Sequence, residues 1–146
     1  MAIKDELIKM LNRGLELEHA ARIQYLSHAE LIKGIHGEPV VARLKEIASD
    51  EEKHEGIFRS LLGSYLNSEP VMSIAETHKA KGEKSILEVN LKGEKDAIDF
   101  YKQIYQKINE NKSDLPYIYE RLEHDIRHII IDEEEHVVEL SFLLGL

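Results

Sequence analysis

Asp50-Glu51-Glu52-Lys53-His54 lies in a run whose inward positions recur in alternating steps of four and three: Val40, Leu44, Ile47, Glu51, His54, Phe58, Leu61, Tyr65. That spacing marks one face of an α-helix. A carboxylate and an imidazole therefore sit where a core-facing helix carries aliphatic side chains. A second stretch, Asp132-Glu133-Glu134-Glu135-His136, repeats the pattern within the face Leu122, Ile126, Ile129, Glu133, His136, Leu140, Leu143.

Working outward, the first helix spans Ala2 to about Lys33, with Leu7, Leu11, Leu15, Glu18, Tyr25 and Ile32 inward and Gly34 and Gly37 ending it. Pro39 suits the first turn of the second helix, which continues to about Leu66. Asn67, Ser68, Pro70 and Gly82 interrupt the pattern over residues 67–82, where a short helical turn is expected around Met72–Lys79. The third helix spans about Glu83–Asn109, with Leu87, Leu91, Glu94, Ile98, Tyr101, Tyr105 and Ile108 inward. Ser113 or Asp114 should cap the fourth helix, with Pro116 in its first turn and only Gly145-Leu146 after it. A short first turn, a long middle connection and a short last turn predict an all-α four-helix bundle with one crossover, occupying residues 1–146 as a single domain.

Composition narrows the function. A net charge of -9 argues against sequence-blind binding to nucleic acid and favours cations in acidic clefts. With no cysteine, disulfides, zinc–thiolate sites and thiolate-bound iron are excluded. No apolar run has the length of a membrane span. Met1 to Leu11 is charged and amphipathic rather than signal-like, so the cytoplasm is the expected location.

The two halves resemble each other. Glu18 is followed two turns later by Tyr25, and Glu94 by Tyr101; the second helix supplies Glu51 and His54, the fourth Glu133 and His136. A Glu and a His three residues apart share a helix face. Two such pairs, with one inward Glu on each remaining helix, make the donor set of di-iron and di-manganese carboxylate bundles. Oxygen and imidazole donors suit iron or manganese and also accept zinc. One Glu-x-x-His is a weak signal, and Glu16-x-x-His19 is a third match lying off the apolar stripe. The joint pattern is strong. Both selected pairs read Asp-Glu-x-x-His, and four buried carboxylates without counter-ions would be severely destabilising.

On these residues the sequence resembles the bacterioferritins and rubrerythrins, which have a ferritin-like fold. Leu15-Glu16-Leu17-Glu18 with Gln24-Tyr25 is similar to their first helix, the two Asp-Glu-x-x-His stretches to their signature motifs, and Glu94 to their lone third-helix glutamate. The resemblance implies Glu51 and Glu133 as bridging ligands, Glu18 with His54 on one iron, and Glu94 with His136 on the other. It implies Tyr25 and Tyr101 as the candidate catalytic side chains, hydrogen-bonding to the terminal carboxylates and orienting them. Glu52 stands where bacterioferritins carry a haem-ligating Met, so no haem is expected. Ala97 replaces a further rubrerythrin glutamate, and a chain without cysteine carries no rubredoxin module.

The resulting expectation is a di-iron oxidase that oxidises Fe(II) with O2 or hydrogen peroxide and receives electrons from an unidentified donor. Iron storage and non-redox metal binding are the alternatives. With no fifth helix, a homodimer is expected rather than a cage. His19, His28, His36, His78, His124 and His128 are expected at the surface or rim, and Glu52, Glu55, Glu134 and Glu135 on a solvated face.

Overall fold

The apolar stripes fold as their spacing dictates. In the computed structural model, which describes residues 2–146, the helices are α1 (Ile3–Ala29), α2 (Glu38–Ser60), α3 (Glu83–Glu110) and α4 (Tyr119–Leu144). There is no strand among the described residues, and no helix is long and apolar enough to cross a membrane. α1 packs along α2 and α3 along α4; thinner α1–α3 and α2–α4 contacts close the bundle. Gln24 of α1 meets Asn90 of α3, and Gly14 meets Tyr101 about three turns further along α3. α3 is therefore antiparallel to α1 and parallel to α2. Because α2 and α3 run parallel, the end of one and the start of the other lie at opposite ends of the bundle, and residues 66–82 run its length to join them.

The core is divided into two apolar blocks. One contains Leu7, Leu11, Leu15, Phe58, Leu61, Ile104, Leu122 and Ile126; the other contains Ile32, Val40, Leu44, Ile47, Ile86, Leu87 and Leu140. Each fully buried Leu or Ile contributes about 1.5–3 kcal/mol. The blocks hold the bundle on either side of a polar layer between them. Gly14 matters in the first block: a Cβ there would lie 2.8 Å from the Phe58 ring and 3.4 Å from Tyr101 Cε1. Lacking one, α1 admits both rings, whose centroids are 5.5 Å apart.

The crossover is not helical at Met72–Lys79. Its backbone is tied instead to α1. Val71 N donates to Asn12 Oδ1 (3.0 Å), Ala75 N to the Glu16 carbonyl (3.0 Å) and His78 N to Gln24 Oε1 (2.6 Å). The Ser73 carbonyl meets His19 Nδ1 at 2.8 Å, and the His78 carbonyl meets His28 Nε2 at 3.0 Å. An extended strap satisfied by another helix's side chains has no need of its own helical hydrogen bonds.

Three boundaries differ from expectation. α1 ends at Ala29, four residues before Lys33. α2 finishes in a π-turn, Leu61–Tyr65, with Leu66 N bonded to Leu61 O at 3.0 Å. The wider turn rotates Tyr65 off the stripe, leaving it 39% exposed, and brings Leu66 inward. α4 starts at Tyr119, so neither Ser113 nor Asp114 caps it. Lys112–Asp114 instead form a 3-10 turn that delivers Leu115 into the core, and Pro116 and Tyr117 follow in an exposed turn where Tyr117 has φ 70°.

Candidate metal centre

The polar layer is made of the six residues singled out by spacing. α2 contributes Glu51 and His54, α4 Glu133 and His136, α1 Glu18 and α3 Glu94, all nearly free of solvent contact. His54 Nδ1 lies 3.2 Å from Glu18 Oε1, 3.5 Å from Glu51 Oε1 and 3.1 Å from Glu133 Oε1. His136 Nδ1 lies 3.4 Å from Glu94 Oε1, 3.5 Å from Glu51 Oε1 and 3.4 Å from Glu133 Oε1. Two sets of four donors result: Glu18, Glu51, His54, Glu133 and Glu51, Glu94, Glu133, His136. In each set the donor atoms lie within 4.8 Å of one another, and Glu51 and Glu133 belong to both.

Five buried atoms of this layer have no hydrogen-bond partner: Glu18 Oε2, Glu51 Oε1, Glu94 Oε2, Glu133 Oε1 and His136 Nδ1. An orphaned buried polar atom costs about 1–3 kcal/mol, and more when charged. The layer therefore fits divalent cations: hard oxygen donors, neutral imidazole nitrogens, and atoms that nothing in the protein satisfies. Without cations the layer must hold protons. Burial and the facing Glu133 raise the pKa of Glu18, Glu51 and Glu94. Burial also opposes ionisation of Glu133, but the facing imidazoles of His136 and His54 outweigh it and hold this carboxyl below its usual range. Burial resists charging His136, yet Glu133 and Glu94 push it up to about 11. His54 is raised as well, again against burial, by Asp132, Glu133 and Glu18.

A second ring of contacts positions the first. The Tyr25 hydroxyl donates to Glu94 Oε1 at 2.6 Å, and the Tyr101 hydroxyl to Glu18 Oε1 at 3.1 Å. Each tyrosine thus holds the glutamate of the opposite helix. Burial, then the adjacent carboxylates, raises both phenol pKa values well above the ordinary one, so both keep their protons. His54 Nε2 meets Asp132 Oδ2 at 2.9 Å, and His136 Nε2 meets Asp50 Oδ2 at 3.0 Å. Spacing gave Asp50 and Asp132 no role. The only hint was that an Asp opens both motifs, and its partner lies on the other helix.

Between α1 and α3 a cavity of about 340 Å³ opens above the layer. Glu18, Glu51, Glu94, Glu133 and both tyrosines line its polar side, and Leu17, Ala20, Ala21, Ala97 and Phe100 its apolar side. Ala97 leaves room that a larger side chain would fill.

Three expectations are overturned nearby. Glu55 is buried, not on a solvated face, because Arg22 and Arg59 of α1 and α2 surround its carboxylate. His19 and His28 are buried, not at the rim, because each binds a carbonyl of the strap. His36, His78, His124 and His128 are exposed, as are Glu52, Glu134 and Glu135.

Comparison with known proteins finds the same architecture. A ferritin-like di-iron-carboxylate protein from Bacillus anthracis superposes with a TM-score of 0.89 at 24% identity, over 99% of each chain. A bacterioferritin from Rhodobacter capsulatus, solved with a metal-free dinuclear site and a haem iron, gives 0.83 at 22% identity, over 99% of this chain and 87% of that one. A dodecameric thioferritin from Bacteroides fragilis, itself bacterioferritin-related, gives 0.84 at 25% identity, over 97% of this chain and 86% of that one. No curated protein matches the sequence. The family model for the ferritin-like domain matches residues 8–146, nearly the whole chain, and the protein belongs to that family.

Proposed function

We propose that the polar layer holds two iron ions and that the protein oxidises Fe(II) with O2 or hydrogen peroxide. The observation that carries the reading is the set of orphaned buried donors, which converge on two adjacent positions and share Glu51 and Glu133. In this reading Glu51 and Glu133 would serve both ions, Glu18 and His54 would complete one site, and Glu94 and His136 would complete the other. The same donors accept manganese or zinc.

Paired iron ions supply two electrons together, enough with two protons to turn one peroxide into two waters or one O2 into one peroxide. The protein does the rest. His54 and His136 present Nδ1 inward because Asp132 and Asp50 hold their Nε2–H groups outward. Tyr25 and Tyr101 fix the terminal carboxylates in one orientation and keep a proton at each hydroxyl oxygen. The cavity between α1 and α3 admits a small oxidant on the carboxylate side. A homodimer on an exposed helical face is also proposed; α4 carries Ile131, Val138 and Phe142 there, with Phe142 80% exposed.

The test is to load the protein with Fe(II) under anaerobic conditions, add O2 or peroxide separately, and follow iron oxidation against a protein-free control. Oxidation faster than the control with either oxidant is expected. No acceleration with either would leave metal binding without turnover as the better account.

A further inference from the structure

On the outer face of α4, away from the buried layer, His124 and His128 stand one helical turn apart, both exposed, with ring centroids 4.2 Å apart. His124 Nδ1 lies 3.0 Å from Asp125 Oδ1, and Arg121 Nη1 lies 3.3 Å from the same oxygen. We propose that His124 and His128 form an outer metal site for one borderline divalent ion such as Cu(II), Ni(II) or Zn(II).

Two histidines at i and i+4 on a helix share a face and chelate one ion through one nitrogen each. Adjacent ligands about 2.0–2.1 Å from a metal put their nitrogens about 3 Å apart. Rings whose centres are already 4.2 Å apart reach that by small rotations about their side-chain bonds. The second observation is the tautomer. The Asp125 carboxylate accepts the Nδ1–H of His124, which leaves Nε2 as the ring's lone-pair donor. Arg121 fixes Asp125 in turn. A pair of exposed rings that merely stacked would need no such carboxylate.

Imidazole pairs select late first-row ions over Mg(II) or Ca(II), and the affinity order places Fe(II) below Ni(II) and Cu(II). The outer site therefore differs in preference from the oxygen-rich layer inside. It stands whether or not that layer holds iron.

Cu(II) is titrated calorimetrically into the metal-free protein, His124→Ala, His128→Ala, the double variant and Asp125→Asn, and the bound copper is examined by EPR. Copper taken up by the buried layer contributes equally to all five. Each single variant should bind one ion fewer than the parent, and the double variant should match the singles, because the pair is one site. The EPR component lost should carry two nitrogen couplings. Asp125→Asn should keep the count but weaken binding by about tenfold, the usual scale for losing an outer partner of a ligand. Equal copper binding with an unchanged spectrum in the double variant would overturn the site. So would two single losses that add, since they would report separate imidazoles, or an Asp125→Asn titration identical to the parent's.

Discussion

His54 on α2 is held by Asp132 on α4: its Nε2 lies 2.9 Å from Asp132 Oδ2. The mirror contact, from His136 to Asp50, spans 3.0 Å in the opposite direction. Each Asp-Glu-x-x-His motif therefore gives its histidine to one donor set, shares its glutamate between both and lends its aspartate to the histidine of the other helix. α2 and α4 otherwise touch sparingly. Removing Asp132 should leave the fold intact and free the His54 ring to rotate or change tautomer. Asp132→Ala is expected to weaken binding of one of two ions by about 10–100-fold. Anaerobic Fe(II) titration checks this; two unaltered binding steps would show that the contact does not orient a ligand.

Glu51→Ala and Glu133→Ala should each abolish accelerated iron oxidation without unfolding the protein. Each carboxylate belongs to both donor sets, so its loss weakens both positions together. The apolar blocks on either side of the layer remain. Stopped-flow oxidation and circular dichroism report the two halves of the expectation. A variant that keeps the parent's rate would remove that residue from the bridging role.

Metal ions should stabilise the fold in proportion to their binding. With free ion at about 100 times Kd, one site adds about 2.7 kcal/mol. The parent's melting temperature should rise with Fe(II) under anaerobic conditions, and the Glu51→Ala rise should be much smaller. Equal shifts in both proteins would place the stabilising ion outside the layer.

Gly14→Ala reverses an ordinary rule. Ala in place of a helical Gly normally gains about 1 kcal/mol. Here the new Cβ would lie 2.8 Å from two carbons of the Phe58 ring, which is fully buried in the core. Overpacking of this kind costs about 1–3 kcal/mol, so a net loss is expected. Tyr101, whose ring is tilted against Phe58 and whose hydroxyl is bonded to Glu18, should shift with it. Chemical denaturation gives the sign directly; a more stable variant would refute the close packing.

His28 predicts a pH dependence. Burial lowers its pKa, only partly offset by the His78 carbonyl. Its Nδ1 faces the Asn90 amide nitrogen at 2.9 Å, so protonation there would set two donors against each other. The unfolded chain takes up a proton as pH falls through about 6.5 while the folded ring resists. The neutral ring's contribution is thus complete above that pH and is lost as pH drops toward the folded value. Between pH 7 and 5 the parent should lose stability faster than His28→Gln. Parallel curves would show that His28 is not the group responsible.

The fold and the inner ring of the site were legible because both are periodic. Glu51, His54, Glu133 and His136 interrupt strict apolar stripes, and Glu18 and Glu94 sit two turns from matched tyrosines. What stayed hidden is held together across the chain. The strap has no period, and its hydrogen bonds go to α1 side chains more than fifty residues away. His19, His28 and Glu55 look solvated on a helical wheel; a carbonyl or a guanidinium from another element buries them. Asp50 and Asp132 were visible as a repeat, but their partners lie across the α2–α4 gap. The start of α4 was misplaced because Leu115, not a capping side chain, decides where the chain turns.

The strap also sets an order of events. Its ties reach Asn12, Glu16, His19, Gln24 and His28, which lie in register only once α1 is a complete helix. Loop closure over such separations is slow to be rewarded. The strap should therefore zip onto a hairpin of α1 and α2 that already exists, from the Asn12 end toward His28, and deliver α3 beside α1 in the correct direction. Substitutions such as Asn12→Ala would then hasten unfolding while leaving the refolding rate nearly unchanged. Topology in this bundle should then be chosen late, by a segment with no regular structure of its own.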